Sequence, residues 1–134
     1  MNMPNIVITR LDAQRLEKLF DPMTYPLDSL EALEAEMARA RVISHKRIQP
    51  DVVTMNSTVR LLDETTAREF LVTLVYPHNA GAPDTVSVLA PVGMAILGLK
   101  IGQSIEWSSA HCRPLKLTVL DIPYQPEANE EYHL

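Results

Sequence analysis

Nucleophilic or metal chemistry would have to come from His45, His78, His111, His133 and Cys112, and their spacing supports neither. His111 and Cys112 are adjacent, which is a poor arrangement for sharing one ion without further ligands, and no other pair has metal-ligand spacing. A cysteine nucleophile needs an oriented imidazole with a third group behind it, and no such pattern is present. Gly93, Gly98 and Gly102, with Lys100 among them, lack the Gly-Lys-Ser/Thr ending of a phosphate-cradling loop, so Lys100 reads as a turn residue. The chain is therefore expected to be non-enzymatic, with no catalytic residue, no metal and no cofactor.

Carboxylates and basic residues remain. Asp21 and Asp28 bracket a loop, with Glu31 and Glu34 further along. Two carboxylates at such a tip could hold a divalent cation together with groups from a partner, although Asp28 is more economically explained as a helix cap. In the same loop Tyr25 stands between Pro22 and Pro26, with no core within local reach; with Met23 and Asp28 it is a candidate partner contact. Met55, Asn56, Ser57 and Lys100 form a second candidate set, since a non-periodic polar cluster before a strand suits an interaction loop. Asn and Ser also bond readily to nearby backbone, so the cluster can instead just turn the chain. Arg39, Arg41, Lys46 and Arg47, with His45 among them, either complement a helix C-terminus or face an acidic protein or nucleic-acid surface. The net charge of -5 argues against a protein that wraps nucleic acid, and no sequence-specific nucleic-acid binding is expected.

The elements that must position these groups follow from hydrophobic period. An extended lead-in over 6–8 runs into a helix over 10–20, capped by Thr9 with Asp12 three residues later and stopped at Asp21-Pro22. A second helix opens at Asp28, with Glu31 completing the cap, and carries Leu30, Leu33, Met37 and Ala40 on one stripe. Glu36 and Arg39 are expected to pair on its solvent side. The seven-residue link predicts a short antiparallel hairpin ending near 42–44. Beyond Pro50 the period changes to two. Strands are predicted over 58–62, 70–76, 86–89, 105–107 and 115–122, with Leu115, Leu117, Val119 and Asp121 sharing a face. Phe70, Tyr76 and Trp107 are candidate aromatics of a β core or of a ligand pocket. Pro91 starts a short helix that Gly98 ends. The reading is α+β: residues 1–49 an N-terminal helical hairpin, residues 50–134 a β domain with one short helix and a loose tail.

At 134 residues the chain suits one modest core. A lone cysteine cannot form an internal disulfide, which favours a reducing, cytoplasmic setting. The N-terminus lacks the pattern of a signal peptide, and no apolar run approaches eighteen residues, so no membrane association is expected.

Residues 51–59 (DVVTMNSTV), 74–77 (LVYP), 87–93 (SVLAPVG), 95–102 (AILGLKIG) and 124–127 (YQPE) together resemble the GreA/GreB transcription elongation factor family, and in it the Rnk-type regulators of nucleoside diphosphate kinase. The resemblance covers nearly the whole chain. It implies an FKBP-like antiparallel β domain that docks on RNA polymerase near the secondary channel, carrying a truncated coiled coil. In the cleavage factors the coiled-coil tip bears acidic residues that help bind the catalytic Mg²⁺. The helices here, of 11 and 15 residues as read from the sequence, rise only about 16 and 22 Å, and the tip lacks a tight carboxylate cluster. The resemblance thus implies a monomeric polymerase-binding regulator without cleavage activity, competing with Gre-type factors and acting indirectly on nucleoside diphosphate kinase. Transcript cleavage, direct binding to the kinase and peptidyl-prolyl isomerisation are the alternatives.

Overall fold

The computed structural model describes residues 5–109 and 112–131; His111 and His133 lie outside them. Strand β1 (Val7–Thr9) leads directly into helix α1 (Arg10–Glu17), because the Thr9 Oγ1 accepts the Asp12 N–H at 3.0 Å and fixes the helix start. The chain then loosens through Phe20, with the Leu19 N–H still reaching the Leu16 carbonyl at 3.0 Å. Helix α2 (Leu27–Arg39) is entered from Pro26, which makes no side-chain cap. Asp28 thus sits in the first turn, where its charge complements the helix dipole, and not at the cap position.

Two features of this half depart from sequence expectation. After α2 the chain forms β2 (Arg41–Ile43), parallel to β1 with Val7 opposite Arg41, so the helices are bracketed by a small two-stranded sheet. Three exposed or half-exposed residues carry no alternation to announce such a strand; its pairing is a tertiary event. Glu36, expected in solvent, is buried, and Arg39 donates to it through Nε at 2.8 Å and through a terminal nitrogen at 3.0 Å. The stripe of Leu30 and Leu33 is wide enough to carry Glu36 inward with it, and the two-pronged bond satisfies its carboxylate there.

The larger sheet contains β3 (Thr58–Asp63), β4 (Arg68–Val75), β5 (Thr85–Ser87), β6 (Ser104–Ser109) and β7 (Cys112–Tyr124), in the order β5-β4-β3-β7-β6. It is mixed and not wholly antiparallel as expected. The chain leaves β4 through a short turn at Pro77–Asn79 and returns with Asp84 at φ 59°, so that β5 lies parallel to β4. β7 is longer than predicted and begins where a loop was expected. It also carries a bulge: Arg60 faces Asp121 but Leu61 faces Val119. The extra residue reverses the alternation, turning Leu117, Val119 and then Ile122 inward and leaving Asp121 exposed.

Helix α3 (Pro91–Ile96) packs on this sheet with Met94, Ala95 and Ile96 buried. The core it closes is continuous with the N-terminal half: Ile6, Ile8, Leu16, Leu19 and Leu33 belong to the same cluster as Val59, Leu61, Leu74, Val88 and Val119.

The segment after β7 is fastened where a loose tail was expected. Buried Gln125 donates from Nε2 to the carbonyls of Gln49 and Val52, each at 2.8 Å. The Tyr124 hydroxyl donates to Glu131 at 2.7 Å. Gln125→Ala should therefore lower stability by about 1–3 kcal/mol, because two interior carbonyls lose their donor; urea unfolding of the full chain measures this.

Candidate functional site

The loop between α1 and α2 is held by one carboxylate. Asp21 accepts the Met23 N–H through Oδ1 at 3.0 Å and the Thr24 hydroxyl through Oδ2 at 2.6 Å, while its carbonyl accepts the N–H groups of Thr24 and Tyr25. These bonds, the Thr24 hydroxyl first, hold its pKa below the ordinary carboxylate range. The loop is thus a shaped tip. At it Met23 is 94% exposed and Leu27, at the start of α2, is 55% exposed. Two apolar side chains thus stand in water on one structured loop and the helix start that follows it. Tyr25 differs from expectation, being only partly exposed and packed against the core cluster.

The second predicted set separates. Met55 and Ser57 are interior, with 1% and 0% exposure, and are not available to a partner in this fold. Their segment is a hub tying three parts of the chain together. The Thr54 N–H donates to Ser57 Oγ at 3.0 Å, the Thr54 hydroxyl donates to Glu127 at 2.7 Å, and the Met55 N–H donates to Asp12 Oδ2 at 3.0 Å. Asn56, at φ 66°, takes the left-handed corner that lets this happen, and its N–H reaches the Leu74 carbonyl at 2.6 Å. The polar residues do turn the chain, as Asn and Ser are suited to do. Asn56 remains half-exposed and Lys100 exposed, but they line different clefts.

Beside the tip, Asn56 shares a cleft of about 430 Å³ with Arg15, Lys18, Leu19, Tyr76, His78 and Asn79. The rings of Tyr76 and His78 stack with centroids 6.1 Å apart and 13° between planes. Behind the cleft lies Asp12. Burial raises its pKa from the ordinary 3.8 to about 7; the charge of Glu127 adds to this, and the Met55 N–H and Arg15 offset part of it. Burial, with Asp12 next in effect, also raises that of Tyr76. Sequence reading took Asp12 only as the third residue after a cap. Its side chain instead reaches across 43 positions to Met55, a pairing with no local signal.

Both oxygens of Asp21 serve the loop's own backbone and Thr24. Among the described residues no three His, Cys, Asp or Glu side chains converge as a metal site, and no helix is long and apolar enough to cross a membrane.

Comparison with known proteins divides the chain in two. A family model described as transcription elongation factor GreA/GreB, C-term, matches residues 48–124, and one described as Rnk N-terminus matches residues 4–43. The chain is 41% identical over its full length to the regulator of nucleoside diphosphate kinase of Escherichia coli (strain K12), which it also covers fully. It is 35% identical to transcription elongation factor GreA of Rhodospirillum rubrum, over 58% of this chain and 50% of that protein. The solved structure of a prokaryotic transcription elongation factor GreA/GreB from Nitrosomonas europaea has 45% identity and a TM-score of 0.70, over 90% of this chain and 99% of the other.

Proposed function

Because this chain belongs to the GreA/GreB family and carries the Rnk-type N-terminal segment, we propose that it is a non-enzymatic transcription regulator that binds RNA polymerase near its secondary channel. There it would compete with Gre-type factors. The observation carrying this reading is the full-length likeness to a named regulator, joined to a tip that exposes Met23 and Leu27. In this reading residues 50–134 form an FKBP-like docking domain, and residues 1–49 form the shorter arm that lies over the channel mouth. Met23, Tyr25 and Asp28 would be the arm's contacts, with Asn56 and Lys100 contributing from the β domain.

The tip's chemistry argues against transcript cleavage. A cleavage factor must bring a cluster of carboxylates to a metal, whereas Asp21 braces the loop through Met23 and Thr24 and stands without a tight acidic cluster beside it. Backtracked polymerase complexes should therefore keep their full transcript when the protein is added; shortening from the 3′ end would overturn the non-enzymatic reading. The tip itself is tested by Met23→Asp, which places a charge where the exposed methionine stands. Immobilised core polymerase should bind this variant about tenfold more weakly, with the thermal midpoint unchanged because Met23 touches little in the free chain.

Regulation of nucleoside diphosphate kinase, the property in the name of the Escherichia coli relative, would follow from altered transcription. Co-purification of the kinase with this chain in the absence of polymerase would favour direct binding instead.

A further inference from the structure

A groove along β1 and β2 is lined by four cations drawn from separate parts of the chain: Arg10 at the start of α1, Arg41 in β2, Arg47 in the turn beyond it, and Lys100. The fold assembles them by specific pairings. Parallel pairing of β1 with β2 sets Arg10, just past Thr9, near Ile43. Lys100 is brought in by its bridge to Val52, by the Val53 N–H bond to Leu99 at 2.8 Å, and by the Ile101 N–H bond to Asp51 at 2.9 Å. The groove holds about 780 Å³ over an aliphatic floor that includes Val7 and Val52.

Three properties bear on what fits it. The lining has no acidic side chain, and none of the four cations has a carboxylate partner among the described residues, in a chain whose net charge is -5. Gathering four like charges costs Coulomb energy, which an anion with several charges would offset, and the concave wall focuses their field. Three of the four are arginines, whose planar fork matches phosphate oxygens two at a time. No aromatic side chain lines the groove, so it offers no stacking platform for successive bases of a strand. Its volume lies within the roughly 300–1,000 Å³ typical of small-molecule sites.

We propose that this groove binds a small polyphosphate anion, through the phosphate chain of a nucleoside di- or triphosphate or through inorganic polyphosphate of like length. The site is separate from the helical tip, and the proposal is independent of polymerase binding. It is tested by calorimetric titration of the full chain with ATP and with inorganic tripolyphosphate, repeated with the Arg41→Ala/Lys100→Ala double variant and with Arg68→Ala as an exposed cation elsewhere. The expected result is saturable binding that weakens about tenfold or more in the double variant and is unchanged in Arg68→Ala. Equal affinity for the two probes would mark the phosphate chain as the recognised group; tighter binding of ATP would add the nucleoside to it. The proposal is overturned if neither probe binds saturably, if Arg68→Ala weakens binding as much as the double variant, or if only a single-stranded RNA oligonucleotide binds.

Discussion

A Gly93→Ala chain should melt about 10 °C below the parent, a loss of about 3 kcal/mol. Position 93 lies inside α3, where the helix crosses the end of β5, and a Cβ built there would collide with the carbonyl oxygen of Ser87 and stand 3.0 Å from the Cα of Val88. Both obstacles are backbone. They cannot rotate away as a side-chain tip would, so α3 or β5 must move as a unit. That movement would reach Val88, Met94 and Ile96, which are buried in the common core. Alanine is otherwise the better helix former by about 1 kcal/mol, so the sign of the effect separates the packing account from one based on propensity. A midpoint equal to or above the parent's would show that the close approach of α3 to Ser87 does not limit the fold.

Asp12 should give the second large effect, visible as pH dependence. Its pKa is about 7 in the folded chain against an ordinary 3.8. Below about pH 4 the group is protonated in both states and its contribution is complete. As pH rises from there, the unfolded chain releases the proton while the folded chain retains it, so stability is lost progressively until the folded group titrates near pH 7. The slope is at most about 1.4 kcal/mol per pH unit, and the total is on the order of a few kcal/mol. Asp12→Asn keeps an acceptor for the Met55 N–H but has no proton to lose; its stability should stay flat relative to the parent between pH 4 and 7, and exceed the parent's at neutral pH. Asp12→Ala strands that N–H and should cost about 1–3 kcal/mol even at acid pH. Denaturant unfolding of the three chains across this range decides the matter, and an Asn variant with the parent's slope would remove Asp12 as its source.

Local chemistry was readable in the sequence wherever it governs the outcome. Thr9 caps α1, Pro91 opens α3, Gly98 takes φ 81° at its end, and the β-branched run of β4 forms its strand. Leu30 and Leu33 of the predicted stripe are buried. The misses are pairings that only the assembled molecule creates. β2 exists because β1 lies beside it, Met55 and Ser57 are interior because Asp12, Leu74 and Glu127 draw their segment in, and Ile122 is buried because a bulge shifts the alternation. At the tip, the exposure of Met23 was legible because a loop residue between prolines has nothing local to pack against. Tyr25, expected to have no core in reach, is half-buried because the compact tip folds it back against the core cluster. The cationic groove was half visible: Arg41 and Arg47 stood out as a cluster, but Arg10 and Lys100 join them only through β1 and the bridge at Val52.

The gap between 43 and 48, where the two family models separate, coincides with the change from helical to strand patterning but not with a break in the core. The arm is thus anchored through Leu16, Leu19 and Leu33 to the same interior as the β domain. Such anchoring would present the tip at a fixed angle, without the reach of a long coiled coil.

Competition on immobilised core RNA polymerase loaded with a Gre-type cleavage factor puts polymerase binding to the test. The full chain should bind the polymerase and displace the cleavage factor in a concentration-dependent way, and Met23→Asp should displace it poorly. Failure of the folded chain to bind the polymerase and to displace the factor at any concentration would contradict the proposed function.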